Sequence, residues 1–69
     1  MLKKHSVSIQ GHRTSYTLED EFYVELKQIS KQQDRSLSSL IREVDANRQP
    51  DCNLSSALRL YVLKYVKQT

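Results

Sequence analysis

Residues 13–18, Arg-Thr-Ser-Tyr-Thr-Leu, decide the fold because their side chains alternate between two chemistries. One set comprises Arg13, Ser15 and Thr17; the other comprises Thr14, Tyr16 and Leu18. Successive side chains of a β-strand point to opposite faces of the sheet. The stretch therefore predicts a short strand with a polar outer face and a largely apolar inner face.

Three segments after this strand have apolar residues at helical spacing. The first begins at the acids of residues 19–21, which suit the positive end of a helix dipole, and runs to about residue 33. Ser36 is a good N-cap for the second, which must end near Asn47 because Pro50 disfavours helix at the residue before it. Asn53 or Ser55 caps the third, which is apolar on more than one side.

A lone strand leaves its backbone donors and acceptors unpaired, so it needs a partner. One candidate is a hairpin of residues 5–9 with 13–17, turning at Gln10-Gly11, which is a poorer turn than Asn-Gly. The other is the same strand of a second copy. We favour the second copy, because a 69-residue chain with one cysteine has no internal disulfide and gains stability by oligomerising. The expected fold is mainly α with one short strand, in the order β-α-α-α.

Residues 13–18, the acidic-start helix and the Asp-Arg-Ser-Leu-Ser-Ser of residues 34–39 resemble the ribbon-helix-helix DNA-binding proteins over residues 12–47. Residues 12–15 and 53–59 further resemble a bacterial subfamily with an extra C-terminal helix. The resemblance implies an intertwined homodimer whose two strands form an intermolecular antiparallel ribbon.

The expected organisation has three parts. Residues 1–11 form a basic arm, residues 12–48 the ribbon-helix-helix core, and residues 49–69 a linker and a C-terminal helix of the same domain. Residues 1–17 carry Lys3, Lys4 and Arg13 and no acid, a segment charge of +3, and residues 51–69 carry a further +2. This distribution suits a polyanionic partner, and a solvated basic tail is the simpler alternative.

The resemblance also implies site residues. The outward residues Arg13, Ser15 and Thr17 would contact DNA bases, since the major groove admits a two-stranded ribbon and arginine reads guanine. The expected phosphate contacts are Ser36, Leu37, Ser38, Arg35, Lys3 and Lys4. The expected dimer core is Tyr16, Leu18, Phe22, Leu26, Ile29, Leu37, Leu40, Ile41 and Val44.

The function expected from these features is that of a cytoplasmic bacterial transcription regulator, most simply a repressor, that binds double-stranded DNA as a dimer or pair of dimers. An alternative is an antitoxin-like or adaptor dimer that binds a protein through its C-terminal helix; another is a monomeric hairpin-plus-helices domain. We expect no enzyme and no cofactor, because the chain has no Gly-rich phosphate loop and no CxxC. We expect no metal, because His5, His12 and Cys52 match no zinc-ligand spacing.

Overall fold

The computed structural model describes residues 1–68, which form a β-hairpin followed by three helices. The strands are β1 (Leu2–Ile9) and β2 (His12–Glu19); the helices are α1 (Asp20–Gln32), α2 (Leu37–Asn47) and α3 (Leu54–Gln68). The two strands form one antiparallel sheet, and all three helices contact it or one another. Thr69, the last residue of the expected C-terminal segment, lies outside the described residues.

The prediction of a single strand is wrong, because β1 pairs with β2 along its whole length, from Ile9 opposite His12 to Leu2 opposite Glu19. The turn between them has φ of 52° at Gln10 and 80° at Gly11. Positive φ at both central residues is the geometry of a type I′ hairpin turn, whose twist matches that of the strands. Glycine adopts this conformation freely and glutamine at some cost, so the Gln-Gly turn forms although its sequence signal is weak.

The hairpin has one buried and one exposed face, as the alternation in residues 13–18 predicts. Tyr16 and Leu18 are buried on the inner face, and Val7 is buried beside them on β1. Arg13 and Ser15 are exposed on the outer face. The direction of these side chains in β2 is therefore confirmed, although β2 pairs with β1 of the same chain and not with the strand of a second copy.

The helix boundaries follow from local chemistry. The Ser36 hydroxyl accepts a hydrogen bond from the Ser39 N–H at 3.1 Å, so the expected cap of α2 is confirmed. Asn53 is the cap of α3, since its side-chain oxygen accepts from the Ser56 N–H at 2.9 Å. Asp34 has a φ of 56° between α1 and α2 and turns the chain there.

The core lies between the inner face of the hairpin and the three helices. Seven of the nine expected core residues are buried in it, and Phe22 and Leu37 pack against it half-buried. Val7 from β1 joins them, together with Leu54, Ala57, Leu58 and Val62 from α3. Full burial of a leucine contributes about 1.5–3 kcal/mol, so the residues from α3 add to the stability of this core.

Candidate nucleic-acid interface

The outer face of the hairpin is polar and basic. We call it the ribbon face; its residues are Lys4, Ser6 and Ser8 on β1 and Arg13, Ser15 and Thr17 on β2. In the register of the hairpin each residue of the first set lies opposite one of the second. The two cations, Lys4 and Arg13, and the four hydroxyl groups therefore lie on one face, which is three residue pairs long.

Arg13 is the exposed cation at the turn end of the ribbon face. Within residues 1–68 it forms no ion pair and no hydrogen bond through its side chain. Ser15 is exposed two residues further along the strand, and its side chain also forms no hydrogen bond within residues 1–68. Both side chains are free to contact a ligand that approaches this face.

Thr17 is hydrogen-bonded to α3 through its backbone and is only half-exposed. Its N–H donates to the Ser55 hydroxyl at 2.9 Å, and its carbonyl accepts from the Arg59 guanidinium at 3.4 Å. These bonds show that the backbone of Thr17 points away from β1, and by alternation so does that of Arg13 and Ser15. The outer edge of β2 is thus closed by α3 at Thr17 and open at Arg13 and Ser15.

Glu19 stands at the end of the outer face, where an acid would repel an anionic ligand. Arg59 donates a hydrogen bond to its carboxylate at 2.9 Å. This bond, with a backbone hydrogen bond, holds the pKa of Glu19 below its usual value. The carboxylate is therefore paired with a cation from α3.

Lys3 and Lys4, the two lysines expected to contact phosphate, lie on opposite sides of the hairpin. Lys4 lies on the ribbon face, whereas the ammonium of Lys3 lies 3.5 Å from the carboxylate of Asp20. Lys3 is on the inner side of the hairpin because strand residues alternate. Lys4 is the lysine that faces the same direction as Arg13.

The start of α2 retains free backbone donors. Ser36 caps the Ser39 N–H, and the first intrahelical bond runs from the Leu40 N–H to the Ser36 carbonyl. The N–H groups of Leu37 and Ser38 have no partner within the helix, as at any helix start. Ser38 is exposed.

Arg35 lies near this helix start but its side chain is engaged elsewhere. Its Nη1 donates to Glu43 at 2.9 Å, which raises the pKa of Arg35 and lowers that of Glu43. Its Nε is buried without a hydrogen-bond partner in residues 1–68. The Arg35 guanidinium therefore lies against α2, where it is paired with Glu43.

A cleft of about 210 Å³ joins the ribbon face to α2. We call it the ribbon–helix cleft; its lining residues are Ser6, Val7, Ser8, Arg13, Ser38 and Arg42. It brings together two of the expected site residues, Arg13 and Ser38, and adds Arg42, which sequence reasoning missed. The available signal was the spacing of Ser38 and Arg42, which lie four residues apart on one helix face.

A second cavity of about 360 Å³ lies between the end of α2 and α3, beside Val44, Cys52 and Tyr61. Residues 1–68 contain no group of three His, Cys, Asp or Glu side chains that could hold a metal ion. His5 and Cys52, two of the three metal candidates, lie in different parts of the fold. His5 is stacked on the Tyr23 ring at 3.9 Å between centroids.

The family model of the ribbon-helix-helix domain matches residues 2–66. The chain belongs to this family. No curated protein matched the sequence, and no solved structure matched it either. Ribbon-helix-helix proteins typically are DNA-binding transcription regulators or antitoxins, without enzymatic activity, and members of the family bind DNA and dimerise.

The ribbon-helix-helix match extends beyond residues 12–47 on both sides. It takes in all of β1 and most of α3, the two elements that complete the core and close the edge of β2. Within residues 1–68 of this ribbon-helix-helix chain, no helix is long and apolar enough to pass through a bilayer.

Proposed function

We propose that the chain is a homodimeric, sequence-specific DNA-binding protein that regulates transcription as a repressor. The observation that carries this proposal is the ribbon face. Arg13 and Ser15 are exposed and unpaired there, on a sheet whose opposite face is buried in the core. A polar and basic sheet face of this kind fits the major groove, which admits a two-stranded ribbon.

In this proposal Arg13, Ser15 and Thr17 contact the base edges. Arginine donates two parallel hydrogen bonds to O6 and N7 of guanine, and a good bidentate pair contributes about 1–3 kcal/mol of discrimination. Serine and threonine hydroxyls donate or accept, so they contact several bases with less selectivity. Thr17 is the most constrained of the three, since α3 holds its backbone.

The open edge of β2 is the place where a second copy would pair. An antiparallel pairing centred on Thr14 sets Arg13 of one copy opposite Ser15 of the other, and it uses the backbone groups that the hairpin leaves free. It also leaves the Thr17–Ser55 hydrogen bond intact. The two β2 strands then form the intermolecular ribbon, with one β1 strand on each side.

In this four-stranded arrangement only the two central β2 strands enter the groove. Three inter-strand spacings of about 4.8 Å place the two β1 strands about 14 Å apart. The major groove is about 12 Å wide, so the β1 strands lie near its phosphate walls while the β2 strands lie over the bases. Lys4 on β1 is then placed to contact phosphate.

The start of α2 supplies the remaining phosphate contacts in the proposal. The free N–H groups of Leu37 and Ser38 and the dipole of the helix favour an anion, beside the cap at Ser36. Arg35 and Lys3 contribute less, because Glu43 and Asp20 hold them in ion pairs.

The proposal predicts that Arg13→Ala weakens binding to a site selected from random duplex DNA. We expect a loss of about 10-fold or more, because each lost guanine contact removes about 1–3 kcal/mol of discrimination. Fluorescence anisotropy with the selected and a scrambled duplex measures it. Lys31→Ala is the matched control, since Lys31 is an exposed cation on α1 without an ion pair in residues 1–68.

The scrambled duplex separates base reading from charge. Arg13→Ala should lower affinity for the selected duplex more than for the scrambled one, whereas Lys31→Ala should leave their ratio unchanged. Equal affinity of Arg13→Ala and the wild-type protein for the selected site would contradict the assignment of the ribbon face.

A second candidate function is an antitoxin-like or adaptor dimer that binds a protein through α3. The observation in its favour is the exposure of Leu60 and Leu63, which are 49% and 51% exposed on one side of α3. Deleting α3 does not test it, because Leu58 is fully buried in the core. The double substitution Leu60→Ser, Leu63→Ser does: loss of a co-purifying protein partner with full DNA affinity would support this second candidate, and unchanged binding of both would contradict it.

A further inference from the structure

We infer that the ribbon–helix cleft binds one phosphodiester group of the DNA backbone, with Arg42 as its main ligand. This inference rests on the proposed function, since the phosphate belongs to the DNA strand beside the ribbon. It adds a residue and a defined site that neither the sequence patterns nor the family assign.

The lining of the cleft is suited to an oxyanion. Its lining includes Arg13 from β2, Arg42 from α2 and three serines, Ser6 and Ser8 from β1 and Ser38 from α2. No acidic residue lines it. Guanidinium groups bind phosphate oxygens through short, charge-assisted hydrogen bonds, and hydroxyl groups add neutral donors.

Neither arginine is neutralised by the protein itself. Within residues 1–68 the other three arginines are paired: Arg35 with Glu43, Arg48 with Asp45 and Arg59 with Glu19. Arg42 and Arg13 have no such partner in that part of the chain. Both arginines add to the positive potential at the cleft. Because Arg13 contacts a base edge in the proposed complex, Arg42 is the cation that remains to bind an anion in the cleft.

The edge of β1 contributes backbone donors to the same cleft. Ser6 lies opposite Ser15 in the hairpin, and Ser8 lies opposite Arg13. The backbone N–H and C=O groups of Ser15 and Arg13 point away from β1, so these are non-hydrogen-bonded pairs of the hairpin. The backbone groups of their partners Ser6 and Ser8 therefore point away from β2. Their N–H groups are therefore directed to the outer edge of β1, beside α2.

The position of the cleft agrees with the proposed dimer. It lies at the outer edge of β1, the strand that the dimer places near a phosphate wall of the groove. A base edge would not reach this position while the β2 strands occupy the centre. The cleft, at about 210 Å³, has room for a phosphate group.

The first test is the salt dependence of DNA binding. Each neutralised phosphate contributes about 0.9 to the slope of log K against log salt concentration. Arg42→Ala should therefore reduce the slope by about 2 for a dimer, and it should weaken the selected and the scrambled duplex by the same factor. Arg42→Lys should restore most of the slope, and Lys31→Ala is the control for loss of a distant cation.

The second test uses inorganic phosphate and no DNA. In NMR titrations of the ¹⁵N-labelled chain, we expect saturable shifts of the Arg42 Nε–H and of the Ser6, Ser8 and Ser38 amides. Arg42→Ala should abolish the shifts at the serines. Thermal unfolding of both Arg42 variants checks that they remain folded.

The outcomes separate the two proposals. If the wild-type chain binds no duplex, the proposed function fails, and the cleft's assignment to DNA fails with it. If the wild-type chain binds its site and Arg42→Ala leaves the slope unchanged, the cleft assignment alone is overturned. Phosphate saturation together with that unchanged slope would identify a site for a free anion instead.

Discussion

At the residue scale, Glu19 and Arg59 join the end of β2 to α3 by an ion pair of 2.9 Å. Nothing in the local sequence connects these residues, which are 40 positions apart. The outward direction of Arg13 was predictable because alternation in a strand is a local property. The roles of Arg59, Ser55 and Arg42 depend on how helices pack on the hairpin, and no local pattern encodes that.

The Glu19–Arg59 pair predicts a pH dependence of stability. Because the folded pKa of Glu19 is below its usual value of 4.5, the pair stabilises the folded chain above about pH 4.5, and this contribution is lost as the pH falls through the folded pKa. The difference in free energy of unfolding between wild type and Glu19→Gln should therefore be constant near neutral pH and shrink in acid. Urea unfolding at pH 7 and pH 3 measures it.

The matched control is Glu21→Gln, an exposed acid of α1 without an ion pair in residues 1–68. We expect a smaller effect from that substitution at pH 7. A Glu19→Gln variant as stable as wild type at pH 7 would show that the pair contributes nothing.

At the element scale, α2 and α3 were predictable, whereas β1 was expected only in the less favoured alternative, the hairpin that turns at Gln10-Gly11. The apolar spacing of Leu37, Leu40 and Val44 and the caps at Ser36 and Asn53 are contained within each helix segment. β1 depends on its partner: its alternation is clear only around Val7 and Ile9, and its Gln-Gly turn is a weak signal. Strand pairing is decided by the whole hairpin and by the helices that cover it.

The contact between α3 and the edge of β2 predicts the effect of Ser55→Ala. The substitution leaves the Thr17 N–H without its acceptor, and an unsatisfied buried donor costs about 1–3 kcal/mol. Partial exposure of Thr17 places the expected loss at the lower end of that range. Chemical unfolding of Ser55→Ala and of the neighbouring control Ser56→Ala measures it, and equal stability of the two variants would count against the contact.

At the scale of the whole molecule, residues 1–68 of one chain enclose a core of twelve buried apolar residues, with contributions from every strand and helix. So short a chain does not need a second copy to cover most of its strand, because β1 and α3 cover much of β2. What remains uncovered is the edge at Arg13 and Ser15. The expectation of a dimer is therefore based on that open edge and on the family, and no longer on an unpaired strand.

This edge predicts that Ser15→Pro prevents dimer formation and leaves the hairpin folded, because proline removes an N–H that the hairpin does not use. Ser6→Pro is the matched control, since Ser6 lies opposite Ser15 and loses its N–H at the other edge of the sheet. Sedimentation equilibrium at micromolar concentration should show about twice the chain mass of 8.1 kDa for wild type and Ser6→Pro. A wild-type species of 8.1 kDa would contradict the dimer.

The central claim is that the ribbon face is the surface that meets DNA, and an NMR titration of the ¹⁵N-labelled chain with its selected duplex tests it most directly. We predict the largest amide shifts at Arg13, Ser15 and Thr17 and at the start of α2, with small shifts along the exposed side of α3 at Leu60 and Leu63. Shifts confined to α3, with the ribbon residues unchanged, would contradict the account.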